Sequence, residues 1–269
     1  MQELKNILDG ASIRNGLRAN NIVVSGVSKS YFSEEGQKYN VLDSINFEIG
    51  QSEFVSLVGP SGCGKTTMLK IICGLINPDR GNVTLGGYSP AISQKNKNIG
   101  FVFQDPALLP WRTVIENIRL PLEINKQPNE RKDITELVSF VGLEGFENHY
   151  PYQLSGGMRQ RVSLARALSA NPGILLMDEP FASLDEITRE SMRYELLRLW
   201  NTTKPTVLFV THNCAEAVLL SDRVLVMSGS KSNQIIDIKI SLDRPRVANL
   251  ETDGDFNKLI HRIKRALKD

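Results

Sequence analysis

The chain has 269 residues, of which 41% are hydrophobic and 23% charged, and its net charge is +2 at pH 7. This composition is typical of a globular protein with a buried core, and so small a charge does not favour nucleic-acid binding. The three cysteines are widely spaced and the three histidines are scattered, so we expect neither a disulfide framework nor a zinc site. No apolar run approaches the roughly 20 residues that span a bilayer, and the N-terminus shows no apolar core of a secretion signal.

The beginning of the chain predicts an extension followed by two strands. Residues 1–20 are mixed and polar, and we expect a loosely held segment there. Strand-like patterns follow at 22–27 and 41–49. Tyr31 and Phe32 lie between the two patterns, and taken alone this aromatic pair is interpreted as core.

A glycine-rich motif lies between a predicted strand at 53–58 and a predicted helix at 66–75, whose apolar face includes Leu75. It matches the P-loop pattern G-x-x-x-x-G-K-[ST] and consists of Gly59, Pro60, Ser61, Gly62, Cys63, Gly64, Lys65, Thr66 and Thr67. The glycines let the backbone curl so that several N–H groups point into one hollow, where the helix N-terminus adds partial positive charge. Lys65 is long enough to reach the β- and γ-phosphates of a nucleotide, and the Thr66 hydroxyl is a potential ligand for Mg²⁺.

The middle of the chain predicts a helical insert. Short strands are expected at 82–85 and 99–103, and Gln104 ends the second one. From Asp105 to about Tyr152 the apolar residues recur at three- and four-residue spacing, which indicates helices. The clearest helical patterns are 113–120 and 134–141.

The second half returns to alternating helices and strands. The expected elements are helices at 155–169 and 186–200 and strands at 174–177, 206–210, 224–227 and 235–240. This alternation predicts a mostly parallel sheet that is covered on both faces. The basic tail from Asn257 is interpreted as a solvated helix face, and contact with a membrane surface is the alternative.

Two carboxylates directly follow the apolar strand at 174–177. In a chain with a P-loop, an aspartate at the position of Asp178 holds Mg²⁺ directly or through water. The adjacent Glu179 is placed to polarise a water molecule for attack on the γ-phosphate. The pair therefore predicts nucleotide hydrolysis.

The segment 154–161, LSGGMRQR, resembles the LSGGQ signature of ATP-binding cassette (ABC) ATPases, with Met158 in place of the usual glutamine. Further motifs of that family follow in the family's order across about residues 21–240. Gln104 resembles the Q-loop, 183–185 the D-loop, His212 the switch histidine, and Tyr31 the adenine-stacking aromatic.

The resemblance implies an α/β fold of the ABC ATPase type. Such a P-loop NTPase has a mostly parallel core sheet, an antiparallel β subdomain and a helical insert. The expected ATPase domain is 21–240 with the helical subdomain at about 105–165, preceded by the extension 1–20 and followed by a tail at 241–269.

The resemblance also implies roles for individual residues. Two copies would pack head-to-tail, and each would supply Ser155, Gly156 and Gly157 to the ATP in the other copy's P-loop. The implied Mg²⁺ ligands are Thr66, Gln104 and Asp178, and the implied catalytic residues are Glu179, His212 and Gln104. Whether Tyr31 or the adjacent Phe32 stacks on adenine stays open.

The segments 103–111 and 178–185 resemble those of the nitrate/sulfonate/taurine importer group. This implies an ATP-hydrolysing subunit, peripheral to the cytoplasmic face of a membrane, that works with permease subunits and indirectly with a substrate-binding protein. One alternative is a cassette that binds ATP without turnover, which the presence of Glu179 and His212 disfavours. The other is an ABC ATPase that acts on a soluble partner.

Two further expectations concern accessible surfaces. Cys63 is either open to alkylating reagents in the empty site or a small, unreactive filler. The apolar cluster after Gln104 contains Pro106, Leu108, Leu109, Pro110 and Trp111. This cluster is either the docking surface of a permease helix or part of the packing of the insert.

Overall fold

A computed structural model of the chain describes residues 20–125, 134–228, 234–246, 250 and 253–268. The predicted extension therefore lies almost wholly outside the described residues. The chain divides into two compact units: the signature unit, Lys97–Lys204, and the P-loop unit, Ala19–Asn96 with Pro205–Asp269. None of the described helices is long and apolar enough to cross a membrane.

The described elements follow one another along the chain in three groups. Before the signature unit come β1 (Ile22–Phe32), β2 (Lys38–Ile49), β3 (Phe54–Val58), α1 (Lys65–Ile72), β4 (Arg80–Leu85) and α2 (Pro90–Lys95). The signature unit contains β5 (Ile99–Val102), α3 (Val114–Ile124), α4 (Ile134–Phe140), a 3₁₀ turn (Pro151–Gln153), α5 (Gly156–Ser169), β6 (Ile174–Asp178) and α6 (Glu186–Thr203). After it come β7 (Thr206–Val210), α7 (Cys214–Leu220), β8 (Arg223–Met227), β9 (Ile235–Lys239) and α8 (Gly254–Ala266).

An antiparallel sheet with the order β2-β1-β4 forms one part of the P-loop unit. β1 and β2 pair from Ile22 opposite Ile49 to Phe32 opposite Lys38, so both strands are longer than the sequence pattern predicts. The alternation of apolar residues is lost toward the turn because the side chains there are half-buried or exposed. The two strands stay paired there although neither has a buried face. Hydrophobic periodicity cannot detect a strand of this kind.

Parallel strands form the other part of this unit, in the order β7-β3-β8, and β9 pairs antiparallel with β8. All five residues of β3 and all five of β7 are buried. Continuous apolar runs of this kind are typical of parallel strands covered on both faces. The loops that follow β3 and β7 carry the P-loop and His212.

The signature unit combines two parallel strands with helices. β5 and β6 pair in parallel, with Val102 opposite Met177. The helix α3 begins with a capping box, in which Thr113 accepts from the Glu116 amide and Glu116 accepts from the Thr113 amide. α5 contacts α3, α4 and β5, so it is the central helix of this unit.

These elements confirm the predicted α/β class, with parallel strands, an antiparallel sheet and helices. Two local predictions are wrong, and two helices were not predicted. α2 and α7 were not expected, because α2 is six residues long with one buried side chain and α7 is buried almost all round, so neither shows amphipathic spacing. α1 ends at Ile72, and Leu75 is 53% exposed because the chain turns away at Gly74 with a φ of +78°. Phe32 is 70% exposed and is not a core residue.

Candidate functional site

The P-loop connects the buried strand β3 to the N-terminus of α1. Gly64 is the N-cap of α1 and has a φ of +101°, which favours glycine. A Cβ at this position would also lie 2.7 Å from Leu42 Cδ2, so the close approach of β2 disfavours a larger residue. Lys65 is only 7% exposed, and its Nζ donates to the carbonyls of Gly59 and Pro60, both at 2.8 Å. The curled backbone of the loop therefore surrounds the ammonium group of Lys65.

Cys63 lies beside this cation. Its Sγ is 3.9 Å from Lys65 Nζ, and its side chain is half-buried. Burial raises the pKa of the Cys63 thiol above its ordinary value, and this effect outweighs the nearby charge of Lys65, which lowers the pKa. The neutral thiol therefore predominates at neutral pH.

His212 and the P-loop follow neighbouring parallel strands. Leu57 in β3 pairs with Val210 in β7, and the Thr211 amide donates to the Leu57 carbonyl at 3.3 Å. Because the carboxyl ends of parallel strands meet at one edge of a sheet, the P-loop and the exposed His212 lie at the same edge. The structure thus brings these two predicted site elements together.

A buried hydrogen-bond network holds the turn around His212. Thr211 Oγ1 donates to Glu216 Oε2 at 2.6 Å and accepts from the Asn213 amide at 3.0 Å. Asn213 Oδ1 caps α7 by accepting from the amides of Ala215 and Glu216. The two buried members of this network, Thr211 and Glu216, belong to none of the sequence motifs and were not predicted. In the sequence, the one feature that could have indicated them is a polar residue next to the apolar residues of a strand or a helix.

Tyr31 lies on β1, directly opposite Tyr39 on β2. The two ring centroids are 6.3 Å apart, and Lys29 Nζ lies 5.9 Å from the Tyr31 centroid. Lys29 in turn forms an ion pair with Asp79 at 2.9 Å, which lowers the pKa of that carboxyl. Tyr31 is half-buried, whereas Phe32 is largely exposed.

In the signature unit, Gln104 and the two acidic residues follow adjacent parallel strands. β5 ends two residues before Gln104, and Asp178 is the last residue of β6. Because these strands are parallel, we find Gln104, Asp178 and Glu179 at one edge of the pair. Asp178 is 3% exposed, while Gln104 is exposed.

Glu179 has an unusual backbone conformation. Its φ is +46°, and its carbonyl accepts from the Ala182 amide at 3.2 Å. A positive φ is uncommon for a residue with a long side chain and tends to occur at functional sites. The strained turn directs the chain away from β6 directly after the buried Asp178.

The signature residues form the N-terminus of α5. Ser155 is the N-cap, and its Oγ accepts from the Met158 amide at 3.2 Å. A Cβ on Gly157 would lie 3.0 Å from Leu184 Cδ2, so the close approach of the D-loop explains the glycine. Ser155 is exposed, and the free N–H groups of this helix end suit an anion.

The D-loop is fixed by the helix that follows it. Asp185 caps α6 by accepting from the Thr188 amide at 3.0 Å, and this hydrogen bond lowers the pKa of Asp185. Arg189 in the first turns of α6 donates to the carbonyls of Phe181 and Leu184. The loop between β6 and α6 is therefore held by contacts at its beginning and its end.

The predicted site residues thus fall into two groups. The P-loop, Tyr31 and His212 belong to the P-loop unit, while Gln104, Ser155 to Gly157, Asp178 and Glu179 belong to the signature unit. Each group lies on loops that follow buried strands or on the N-terminus of a helix, where backbone amides and polar side chains are available to phosphate oxygens.

Comparison with known proteins identifies relatives that are similar to most of this chain. The family model of the ABC transporter matches residues 42–182. An uncharacterized ABC transporter ATP-binding protein of Methanocaldococcus jannaschii is 47% identical over 240 residues, which cover 88% of this chain and 88% of that protein. The aliphatic sulfonates import ATP-binding protein SsuB of Bacillus cereus is 42% identical over 241 residues, which cover 89% of this chain and 94% of that protein.

A solved structure shares the fold. The dimeric post-hydrolysis state of the ATP-binding cassette MJ0796, bound to ADP and Pi, matches with a TM-score of 0.74 and 35% sequence identity. The match covers 82% of this chain and 100% of that one. The family match and these relatives, which cover most of the chain, agree with the motifs described above, and the chain belongs to the ABC transporter family.

Proposed function

We propose that this chain is the ATP-binding and ATP-hydrolysing subunit of a multi-subunit ABC importer that takes up a small anion or small organic nutrient. One observation carries the proposal: a chain with a formed P-loop shares 42% identity over 241 residues with an aliphatic sulfonates import ATP-binding protein. An ATPase that powers uptake needs a phosphate site, a means of activating water and a route to other subunits. The residues described above supply the first two, and the surface after Gln104 offers the third.

ATP would be held mainly by the P-loop. Lys65 has a buried ammonium group whose present acceptors are two carbonyls of the same loop, and phosphate oxygens are stronger acceptors for a cation. The loop's amides and the N-terminus of α1 would bind the β- and γ-phosphates. Tyr31 would stack on adenine, and the exposed ring of Phe32 is the alternative.

The residues that would hold Mg²⁺ fit this ion. Thr66, Gln104 and Asp178 offer a hydroxyl, an amide oxygen and a carboxylate, and Mg²⁺ prefers such oxygen ligands together with phosphate oxygens. Asp178 is 3% exposed at a strand end, a position at which a cation would offset the cost of a buried charge. When bound, Mg²⁺ would neutralise part of the charge on the phosphates.

Hydrolysis would depend on Glu179 and His212. The Glu179 carboxylate, held beyond β6 by a strained turn, would accept a proton from the attacking water. His212 lies at the same sheet edge as the P-loop and would donate a hydrogen bond to the γ-phosphate. Gln104 would contribute an amide oxygen to the metal and to the positioning of the water.

A second copy of the chain would complete each site. The exposed N-terminus of α5, with Ser155, Gly156 and Gly157, would bind the γ-phosphate of the ATP held by the other copy's P-loop. The dimeric relative bound to ADP and Pi supports a dimer of cassettes. A head-to-tail arrangement buries two ATP molecules at a symmetric interface, and loss of the γ-phosphate contacts would let it open.

The remaining partners follow from the transport role. Membrane permease subunits would hold the chain at the cytoplasmic face of the cell membrane, and a substrate-binding protein would deliver the nutrient to the permease. The name of the sulfonate import relative supports this assignment. Nucleic acid is not proposed as a partner, because the net charge is only +2.

Uptake by the source organism tests the proposal. The gene is deleted, and cells are supplied with radiolabelled ethanesulfonate, taurine or nitrate. We expect the uptake of at least one anion to be lost and to return with the wild-type gene but not with Glu179→Gln. Unchanged uptake of all three anions by the deletion strain, with ATP hydrolysis by the purified chain, would favour an ABC ATPase that acts on a soluble partner.

A further inference from the structure

The helix α5 carries the signature at its N-terminus and also binds the loop that contains Gln104. Gln160 Nε2 donates to the Phe103 carbonyl at 3.0 Å. Arg166 Nη2 donates to the Pro106 carbonyl at 2.7 Å, and its Nη1 donates to the Ala107 carbonyl at 2.9 Å. Residues 103–107, here called the Gln104 loop, are thus held on both sides of Gln104 by side chains of one helix.

The backbone of the Gln104 loop is strained where Arg166 binds it. Ala107 has a φ of +47°, a conformation that costs free energy for a residue with a Cβ. Such a conformation persists when the surroundings hold it in place. The two carbonyls that flank the Ala107 amide are the ones that accept from Arg166, so the guanidinium fork holds this strained turn.

Gln160 is a polar side chain in a position that packing alone would give to an apolar residue, and Arg166 is a half-buried cation. Gln160 is 2% exposed, among the buried residues Leu164, Ala167 and Leu168 of the same helix. Burial lowers the pKa of the Arg166 guanidinium below its ordinary value. The hydrogen bonds of the Arg166 guanidinium in the described residues go to backbone carbonyls of this loop. A desolvated cation is costly, and here its contacts hold the Gln104 loop.

We infer that Gln160 and Arg166 are positioning residues for Gln104, and that they join α5 and the Gln104 loop into one rigid body. The inference rests on the proposed function, in which Gln104 serves the ATP of its own chain and Ser155 serves the ATP of the other copy. Any movement of the signature end of α5 would then displace Gln104. The contacts of Gln160 and Arg166 therefore couple the two nucleotide sites of the dimer.

Hydrogen exchange and kinetics of the full-length Arg166→Met protein test this inference. Methionine fills similar space but leaves the Pro106 and Ala107 carbonyls without their donors. We expect faster amide exchange in peptides covering 103–109, with ATP binding in the absence of Mg²⁺ unchanged. Turnover should fall on the order of tenfold, the scale of losing charge-assisted hydrogen bonds. The Mg²⁺ concentration for half-maximal turnover should rise, because Gln104 is no longer held.

Arg161→Met is the matched control. Arg161 lies on the same helix, and its Nη1 donates to the carbonyls of Val141 and Gly142, which belong to a different loop. This variant loses the same kind of contact, and we expect the exchange of 103–109 to match that of the wild type. Arg166→Lys keeps the charge but not the two-pronged geometry, so it should give an intermediate exchange rate.

A double mutant separates positioning of Gln104 from a general loss of stability. In a Gln104→Ala background, adding Arg166→Met should lower turnover no further. An equal additional loss in that background, or wild-type exchange of 103–109 in Arg166→Met, would overturn the inference. Should the wild-type chain fail to hydrolyse ATP, the proposed function would fail, while the exchange experiment would still decide whether Arg166 holds the loop.

Discussion

Lys65 Nζ donates to the carbonyls of Gly59 and Pro60 at 2.8 Å each, so the P-loop holds its cation inside its own curve. The ammonium is shielded from solvent without a carboxylate among these hydrogen-bond partners. A phosphate oxygen entering the loop would exchange a neutral acceptor for an anionic one. The P-loop is in this sense prepared for a phosphate group.

Replacing Lys65 by alanine should weaken ATP binding. The change removes a charge-assisted hydrogen bond, which contributes about 1.5–3 kcal/mol. The dissociation constant should therefore rise roughly ten- to hundredfold. Titration with a fluorescent ATP analogue measures this, and Lys70→Ala, farther along the same helix, is the control. Equal affinity of Lys65→Ala and the wild type would show that the phosphates bind elsewhere.

A cation at the signature should prevent dimerisation. The Glu179→Gln protein, which we expect to bind ATP without hydrolysing it, should sediment as a dimer when ATP is added. Adding Ser155→Arg should return it to a monomer, because Ser155 caps α5 and a bulky side chain would obstruct the exposed amides of that helix end. Analytical ultracentrifugation with and without ATP measures the effect. A dimer that forms without ATP and is unchanged by Ser155→Arg would contradict a nucleotide site shared between two copies of the chain.

Alkylation of Cys63 should be slow at neutral pH and should accelerate as the pH rises. Because burial raises its pKa, Cys63 carries less of the reactive thiolate at a given pH than an ordinary thiol does. Bound ATP should protect Cys63, since it would cover the loop. Cys73 is the internal control, because it is buried and its pKa is raised to about 11. Mass spectrometry that finds equal labelling of Cys63 with and without ATP would exclude protection.

Trp111 should be an anchor for the permease. Its side chain is 70% exposed. Leu109, in contrast, is half-buried, and its backbone forms hydrogen bonds with the side chain of the fully buried Asn117. Trp111→Ala should therefore reduce co-purification with membranes without disturbing the fold, and Leu109→Asp should do so at a cost in stability. An interfacial tryptophan contributes on the order of 2 kcal/mol.

The control for this experiment is Tyr88→Ala, which removes an exposed aromatic ring from the P-loop unit. We expect this variant to stay with the membrane fraction, and all three variants to bind ATP. If well-folded Trp111→Ala and Leu109→Asp proteins associate with membranes as the wild type does, the docking surface lies in another part of the chain.

Much of the fold could be predicted because its central strands are short apolar runs. The strand at 206–210 was predicted with the bounds that β7 has, since its five residues are all buried. The helix predicted at 155–169 agrees closely with α5, whose N-cap is Ser155, because serine is favoured at the N-cap of a helix. The two helices that were missed lack the alternation of buried and exposed side chains on which such a prediction depends.

The site residues could be named from motifs, but the residues that support them could not. Arg166 contacts a backbone carbonyl that is distant in sequence, and Glu216 contacts a hydroxyl group that a turn brings near it. The spacing of residues along the chain reveals neither contact. The positive φ of Glu179 and of Ala107 could not be predicted either, because neither residue type favours it. Exposure of Phe32 depends on the pairing of β1 with β2, which the pattern underestimated.

ATP turnover by Glu179→Gln, measured together with ATP binding, tests the central claim most directly. The amide cannot take a proton from water, so turnover should fall by about 10²–10⁴ while the affinity for ATP is retained. The measurement is made on the purified chain with Mg²⁺, with the neighbouring Glu186→Gln as a control, since Glu186 is an exposed residue of α6 that pairs with Arg189. Wild-type turnover in Glu179→Gln, with Glu186→Gln unaffected, would contradict the assignment of Glu179 as the residue that activates water.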